Sequence, residues 1–431
     1  MSQEISFSIP STAEEETTGR YIITYRDGAT QEGVNALQDL TGIASLPDAR
    51  DFSDSALDIA VLEDSGGATF PTLGITVATM ENEALTGLMS TMSEDSPILA
   101  IEPERIYYAI SEGLTSEYLR GYRDAAAHLY DVAQPSVEKG EGETSTSATF
   151  IDDTVSTWGL KATKAIPSRW SGRGINVAVL DTGLDLAHPD LRGRSIHSQS
   201  FVPGEAVQDV QGHGTHCVGT ACGFKDLNGR RYGVAYESNI YVGKVLSNSG
   251  SGQQAWILAG MEWAIANQCA VISMSLGNMV PTASTAYETI GMRALANNCL
   301  IIAAAGNHRL RGAPPIKTVG QPANSNSIMS VGAIDSNLQL AEFSCRSGTT
   351  AGANVDIVGP GVSIYSSIPM PKRYASFNGT SMATPHVAGI AALYAQSTGA
   401  RGSRLWQLLT ARALRLSLPA IDVGSGLAQA P

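Results

Sequence analysis

The sequence predicts an α/β protein with a mostly parallel sheet and helices on both faces, preceded by a small α+β domain of ferredoxin-like topology. Two observations lead to this expectation. After about residue 152, six short apolar runs alternate with helical segments, and such runs are typical of strands buried on both faces. In residues 19–110, strand and helix patterns follow in the order β-α-β-β-α-β, which is the split βαβ arrangement.

In the first domain, residues 20–26 are β-branched and aromatic, which predicts a strand. Apolar residues of 31–43 and 81–93 recur at helical spacing, which predicts two amphipathic helices. Further strands are expected at 56–62, 72–80 and 97–110. The alternative is an independent ligand-binding module of the same topology, because this fold hosts many functions.

The first 150 residues are expected to form several consecutive segments. Residues 1–18 are acidic and polar and are expected to be disordered, and 19–110 form the first domain. A helix is expected at 115–133, and 134–147 is a polar Gly, Ser and Glu-rich stretch that is typical of an exposed linker. The main domain then spans 151–431.

In the main domain, the buried parallel strands are expected at 175–180, 240–246, 270–274, 299–305, 328–333 and 355–357. Helices are expected at 252–267 and 284–297. Strands that alternate with helices predict a parallel sheet, and the active site of such a sheet lies at the carboxyl ends of its strands.

Composition excludes several classes of protein. The 431 residues are 43% hydrophobic and 16% charged, which excludes a disordered chain. No apolar run approaches the ~18 residues of a membrane helix. Five cysteines do not form a disulfide framework, and their odd number leaves at least one thiol free or paired between chains. The first 20 residues lack an apolar segment, so no secretory signal is visible; a cytoplasmic protein, non-classical export and secretion with a missing signal stay open.

Charge divides the chain unevenly. Residues 1–150 hold 26 of the 41 acidic residues and 7 of the 28 basic ones, so they carry −19 and the remainder carries +6. This division predicts two domains that attract each other. The basic residues are scattered rather than clustered, which disfavours nucleic-acid binding.

Three motifs carry candidate chemistry. Asp181 directly follows a strand in NVAVLDTGLD, although an acid at this place often only caps the next helix. His213 lies between two glycines in GHGTHCVG, which leaves its imidazole accessible. Ser381 in NGTSMATPHVAG begins a small-residue helix, with Pro385 expected in the first turn. A serine there usually caps the helix, but it can also be a nucleophile beside an oxyanion site.

Two residues that follow His213 in the same helix have structural interpretations as well as functional ones. His216 is expected to pack inside the helix. Cys217, on the same helix face as His213, could be a buried small residue, a metal ligand or a nucleophile. The first is favoured because no Cys or His cluster has zinc spacing, and no metal ligand is assigned.

Asp181, His213 and Ser381, in this order and in these motifs, resemble the subtilisin-like serine proteases, the peptidase S8 family. The resemblance covers about 152–431 and includes the closing segment GSGLA. It implies a serine endopeptidase that uses an Asp-His-Ser triad, needs no cofactor for catalysis and acts on peptides or proteins. It implies neither a nucleic-acid partner nor a membrane partner.

The same resemblance assigns the residues around the triad. In IIAAAGN, Asn307 takes the position of the oxyanion donor. Gly250, Ser251 and Gly252 would pair with an extended peptide. Ser275, Leu276 and Gly277, with Gly306, would line a first specificity pocket that is open and apolar and favours large uncharged side chains.

Residues 19–110 also resemble the family's propeptide, in element order and in ending on an extended strand. The resemblance implies an intramolecular inhibitor and a zymogen that processes itself. Residues 111–150 depart from the family pattern, so two cleavage points stay open: near Ile110, or within 138–149.

A calcium site is also considered. Asp190 resembles a calcium ligand of the family, and Asp226 and Asn228 lie in a nearby loop, but Lys225, Arg230 and Arg231 would repel a cation. Calcium is therefore left unassigned.

The alternative functions are a non-catalytic binding protein on this fold and a narrow processing protease.

Overall fold

The computed structural model describes residues 16–43, 46–49, 65–110, 149–308 and 318–431. Its largest sheet has seven strands in the order β13-β12-β11-β9-β5-β7-β6, and every pairing along it is parallel. The predicted α/β class is confirmed. The strands are β5 (Asn176–Asp181), β6 (Ile196–Ser200), β7 (Asn239–Lys244), β9 (Val271–Met274), β11 (Leu300–Ala304), β12 (Met329–Ile334) and β13 (Ile357–Pro360).

The strands of this sheet are nearly all completely buried, which explains their uninterrupted apolar sequences. The edge strand β6 is the exception, because its sequence IHSQS is polar and partly exposed. It was not predicted.

Helices pack on this sheet. The long helix α7 contacts the central strands and the shorter helix α4. The helices of the main domain are α3 (Trp158–Ala162), α4 (His213–Cys222), α5 (Gln254–Ala266), α6 (Thr285–Ala296), α7 (Thr380–Thr398), α8 (Gly402–Arg412) and α9 (Ala420–Val423). A separate hairpin joins β14 (Ile364–Ser367) to β15 (Tyr374–Phe377).

The first domain is a sheet of antiparallel strands in the order β4-β1-β3-β2, with two helices that contact each other. Ile23, Tyr25, Leu37 and Leu88 are buried in a core of its own. The elements are β1 (Thr17–Tyr25), α1 (Thr30–Thr41), β2 (Gly67–Phe70), β3 (Ile75–Thr79), α2 (Asn82–Ser90) and β4 (Ile98–Ala109).

Two differences from the sequence expectations concern this domain. Strand β2, with the sequence GATF, was missed, because glycine and alanine carry little strand signal. The strand expected at 56–62 lies outside the described residues, as do the helix expected at 115–133 and the linker.

Strand β4 connects the two domains. After its pairing with β1, it continues between two short strands of the main domain, β8 (Ser251–Gln253) and β10 (Leu276–Gly277). Tyr107 lies opposite Gly252, and Ala109 lies opposite Leu276. The last residues of the first domain are thereby laid antiparallel along the edge of the main domain.

Carboxylates of the first domain meet the N-termini of helices α5 and α6. Glu104 is completely buried; it accepts the backbone N–H of Ala255 at 2.7 Å and pairs with Arg20 at 2.6 Å. Glu102 accepts the N–H of Ala286 at 2.8 Å. The positive end of each helix dipole favours these acids, so acidic residues of the first domain do bind the main domain, although chiefly through helix amides.

Within the described residues, no helix is long and apolar enough to cross a membrane. All five cysteines are buried, and none of them forms a disulfide.

Candidate active site

Asp181 and His213 form a buried pair. Asp181 is the last residue of β5, and His213 is the first residue of α4. Their Oδ1 and Nδ1 atoms are 2.7 Å apart, and neither side chain is more than 1% exposed. Asp181 Oδ1 also accepts the N–H of Thr182 at 2.7 Å, which fixes the carboxylate against the turn after the strand.

Asp209, which sequence reasoning missed, ties this turn to helix α4. It is buried, and its Oδ1 accepts the hydroxyl of Thr182 at 3.0 Å and the N–H of Gly212 at 2.8 Å. Its Oδ2 accepts the N–H and the hydroxyl of Thr215. Asp209 therefore holds the start of the helix that carries His213. An acidic residue four positions before His213 is the one signal that the sequence offered.

Two opposing effects act on the His213 imidazole. Burial is the largest single effect and lowers its pKa, but the charge and hydrogen bond of Asp181 together with the neighbouring Cys217 outweigh it, so the pKa lies well above the ordinary value of 6.5. Among the described residues, Nε2 has no hydrogen-bond partner. With Nδ1 bound to Asp181, Nε2 is the atom that can exchange a proton with a reacting group.

Ser381 is the second residue of α7 and is completely buried in this state. Its Oγ is in hydrogen-bond contact with two carbonyl oxygens, that of Ile110 and that of Ser275, the latter at 3.1 Å. His213 and Ser381 are neighbours, because Cys217 Sγ lies 3.8 Å from His213 Nδ1 and 3.5 Å from the Ser381 carbonyl oxygen.

Pro385 corrects one expectation. It lies inside the helix, in the second turn rather than the first. A proline has no N–H to donate to the carbonyl four residues earlier, which here belongs to Ser381. That carbonyl instead accepts the hydroxyl of Ser275 at 2.8 Å and the thiol of Cys217, so Pro385 frees it to bind neighbouring segments.

Asn307 lies three residues beyond β11, and both the nitrogen and the oxygen of its side-chain amide form hydrogen bonds at the site. Nδ2 donates to the Ile110 carbonyl oxygen at 3.0 Å. Oδ1 accepts the N–H and the hydroxyl of Thr380, each at 2.9 Å, which fixes the amide orientation. A Cβ on Gly379 would lie 3.0 Å from the Ile110 oxygen, so glycine leaves room for this carbonyl.

The predicted substrate-binding residues surround the end of β4. The carbonyl oxygens of Gly250 and Ser275 accept the N–H groups of Ala109 and Ile110, at 2.9 and 3.1 Å. Ser251 and Gly252 belong to β8, and Leu276 and Gly277 form β10, so all four pair with β4. The N–H of Gly306 donates to Thr380 Oγ1 at 3.2 Å, and the place of Gly306 in the first pocket stays a prediction.

The Ile110 side chain shows where a first pocket lies. Ile110 is 5% exposed, and a Cβ on Gly277 would come 2.7 Å from its Cδ1. Gly277 thus makes room for an apolar side chain at this position.

The neighbours of His213 are both buried. His216 stacks on Phe377 with ring centroids 4.5 Å apart, and burial lowers its pKa to about 3, so it is a neutral packing residue. Burial raises the pKa of the Cys217 thiol. Donor atoms of Asp181, His213 and Cys217 lie within 4.8 Å of one another. A metal ion there would have to displace the hydrogen bond between Asp181 and His213, so this cluster fits a metal poorly.

The residues considered for calcium do not fit that ion. Asp190 accepts the hydroxyls of Tyr232 and Tyr374, at 2.8 and 2.9 Å. The Asp226 carboxylate accepts the N–H groups of Asn228 and Arg230, the guanidinium of Arg230 at 3.3 Å and the hydroxyl of Tyr365 at 3.1 Å. Protein donors already occupy these oxygens, and the Arg230 charge opposes a cation.

Comparison with known proteins shows the family of the main domain. Residues 172–416 match the subtilase family, peptidase S8. The chain belongs to the subtilase family. It is 45% identical over 236 residues to subtilisin E of Bacillus subtilis (strain 168), an overlap of 54% of this chain and 58% of that protein. The overlap with a subtilisin of Bacillus pumilus is also 45% identical and covers 81% of that protein.

A third relative among the subtilases is an intracellular serine protease of Paenibacillus polymyxa, 42% identical over 248 residues, which are 55% of this chain and 72% of that protein. The chain thus spans just over half the length of subtilisin E, and the matched subtilase segment lies inside the main domain. The predicted membership of the subtilases and their α/β fold are confirmed.

Proposed function

We propose that this subtilase is a serine endopeptidase made as a zymogen, which cleaves itself after Ile110. One observation carries the proposal. The Ile110 carbonyl oxygen lies in contact with both Asn307 Nδ2 and Ser381 Oγ, at the end of a strand held between β8 and β10. This is the arrangement expected of a polypeptide bound for cleavage, beside a nucleophile and an oxyanion donor.

The chemistry follows from the residues at this point. Ser381 Oγ attacks the carbonyl carbon, and its proton passes to His213 Nε2. Before this step the hydroxyl must turn away from the Ser275 oxygen towards Nε2. The negative charge that develops on the carbonyl oxygen is stabilised by Asn307 Nδ2.

The leaving amine then takes the proton from His213, which leaves an acyl group on Ser381. Water attacks this ester with His213 again as the base. Asp181 holds the imidazole through Nδ1 and stabilises its charged form at both stages. None of these steps calls on a cofactor.

Two contacts support cleavage at Ile110 rather than within 138–149. The N–H groups of Ala109 and Ile110 are both bound by the cleft, so the backbone before the scissile bond is held over two successive residues. Such positioning lowers the entropic part of the barrier. After the cut, the strand still occupies the cleft, which accounts for inhibition by the first domain.

Contacts away from the cleft support this inhibitory role. The buried Glu262 of α5 accepts the backbone N–H groups of Thr72 and Leu73, each at 3.1 Å. Arg293 of α6 donates to the Tyr25 carbonyl at 2.8 Å and pairs with Asp27 at 2.9 Å. These contacts and the helix-capping glutamates hold the first domain in place independently of the scissile bond.

A serine-directed fluorophosphonate probe tests the proposal. The wild-type chain, once processed, should be labelled and should cleave peptides, and Ser381→Ala should do neither. Ser397→Ala is the matched control, because it removes a hydroxyl from the far end of the same helix that bonds only locally, to the Tyr394 carbonyl. The proposal fails if the processed wild type is not labelled, or if Ser381→Ala cleaves peptides normally.

A further inference from the structure

The Tyr107 side chain occupies a closed pocket in the main domain. Tyr107 lies on β4 three residues before Ile110, so it is the fourth residue counted back from the bond that we expect to be cut. It is completely buried. Its ring meets the ring of Tyr287 edge-on, with centroids 5.6 Å apart, and its hydroxyl donates to Gln321 Oε1 at 2.9 Å.

The amide of Gln321 is oriented by a second contact. Its Nε2 donates to the carbonyl oxygen of Thr282 at 2.9 Å. Reversing the amide would set its oxygen against that carbonyl, so Oε1 is fixed as the atom that faces the tyrosine hydroxyl. Gln321 is itself 3% exposed, which removes water as a ready substitute partner.

A buried acceptor of this kind discriminates between side chains. Asn278 Nδ2 also approaches Oε1, but at 3.5 Å, the limit of a hydrogen bond. A phenylalanine in the pocket would therefore leave Oε1 with this weak contact alone. Leaving a buried polar atom unpaired costs more than the hydrogen bond contributes when made. Burial raises the pKa of Tyr107, which keeps its hydroxyl protonated as a donor.

We propose that Gln321 makes this protease select tyrosine over phenylalanine at the fourth residue before the scissile bond of its substrates. The inference rests on the proposed function, since it assumes that substrates follow the path of β4. The ring of Tyr287 can pack against either tyrosine or phenylalanine at this position, whereas Gln321 accepts a hydrogen bond from the hydroxyl, which only tyrosine carries. A site built around a hydroxyl rejects the analogue that lacks it more strongly than an apolar pocket rejects a small change of size.

Two peptides test the proposal on the processed enzyme. They are Tyr-Tyr-Ala-Ile and Phe-Tyr-Ala-Ile 4-nitroanilides, which differ only in the hydroxyl. We expect kcat/KM to favour the tyrosine peptide by about 10- to 100-fold. A wild-type ratio below threefold overturns the proposal, and this measurement needs no variant to fold.

The variant Gln321→Leu locates the source of the preference. It removes the acceptor at similar volume, so the ratio of the two kcat/KM values should fall to about one. Gln407→Leu, on the exposed face of α8, is the matched control and should keep the preference. If Gln321→Leu slows both peptides equally and leaves the ratio unchanged, Gln321 is only structural and the proposal is wrong.

Failure of the specificity and failure of the proposed function look different. If the enzyme cuts both peptides equally and takes the fluorophosphonate label, the proteolytic function stands and only the Gln321 inference falls. If the processed chain cuts neither peptide and is not labelled, the proposed function itself is wrong, and the inference falls with it.

Discussion

Replacing Asn307 by leucine should slow peptide cleavage by about 10²- to 10³-fold in kcat. The side chain has two separable contacts, because Nδ2 donates to the Ile110 carbonyl oxygen and Oδ1 binds Thr380. Loss of the corresponding donor in subtilisin costs about 2.7–4 kcal/mol of transition-state stabilisation, and this magnitude is taken over from that enzyme. Since each 1.36 kcal/mol is tenfold in rate, the two figures agree.

The Oδ1 role adds a cost in stability. Leucine would leave the N–H and the hydroxyl of Thr380 without their acceptor, at about 1–3 kcal/mol for a buried unpaired group. Asn307→Asp separates the roles. It keeps an acceptor oxygen towards Thr380 but puts an oxygen in the place of Nδ2, so it should lose as much kcat as leucine while better preserving the N-terminus of α7.

The assay is the steady-state hydrolysis of a nitroanilide peptide by processed enzyme, with thermal unfolding measured in parallel. We expect KM to change little, since the donor acts chiefly on charge that develops in the transition state. The reasoning is refuted if both variants retain kcat within threefold of the wild type.

Three further predictions concern pH, stability and release of the first domain. Because the pKa of His213 is raised, the base keeps its proton to higher pH, so kcat/KM should fall on acidification with a midpoint above 6.5; a midpoint below 6.5 would contradict this. Arg230→Gln should lower Tm by about 1–2 °C, since it removes a partly exposed ion pair with Asp226 that contributes up to about 1 kcal/mol. A calcium chelator should leave the Tm of the chain unchanged, and scanning calorimetry in a Ser381→Ala background measures both. Glu104→Gln should weaken docking of the first domain and shorten the lag before activity appears, because it removes the negative charge that binds the Ala255 N–H at the N-terminus of α5, a contact worth up to about 2 kcal/mol. The exposed Glu94→Gln should keep the wild-type lag, and equal lags for the two variants would count against the role of Glu104.

The parallel sheet could be predicted because its strands are buried on both faces and therefore read as uninterrupted apolar runs. The elements that were missed depend on context. Strand β10 has two residues and β8 has three, and each is a strand because β4 lies beside it. The polar edge strand β6 pairs through its backbone, which leaves no apolar signal in its side chains.

The candidate site likewise contains residues that the sequence indicates and residues that it does not. Asp181, His213, Ser381 and Asn307 lie in local motifs, so they could be selected as candidates from the sequence alone. Gln321 carries no such signal, because its partner Tyr107 lies far along the chain. Asp209 binds Gly212 and Thr215 nearby as well as the more distant Thr182, and its place four residues before His213 was its one sequence signal. Pro385 shows that an error of one turn in the position of a proline changes which backbone carbonyl is expected to lack its N–H donor within the helix.

The most direct test of the account is the intact mass of the purified full-length chain followed over time, beside its Ser381→Ala variant. The account predicts that the wild type alone releases a fragment that ends at Ile110, because the carbonyl of this residue lies against Ser381 and Asn307. The Ser381→Ala chain should stay whole under the same conditions. A first cut elsewhere, such as within residues 138–149, or the same cut in both chains, would contradict the account.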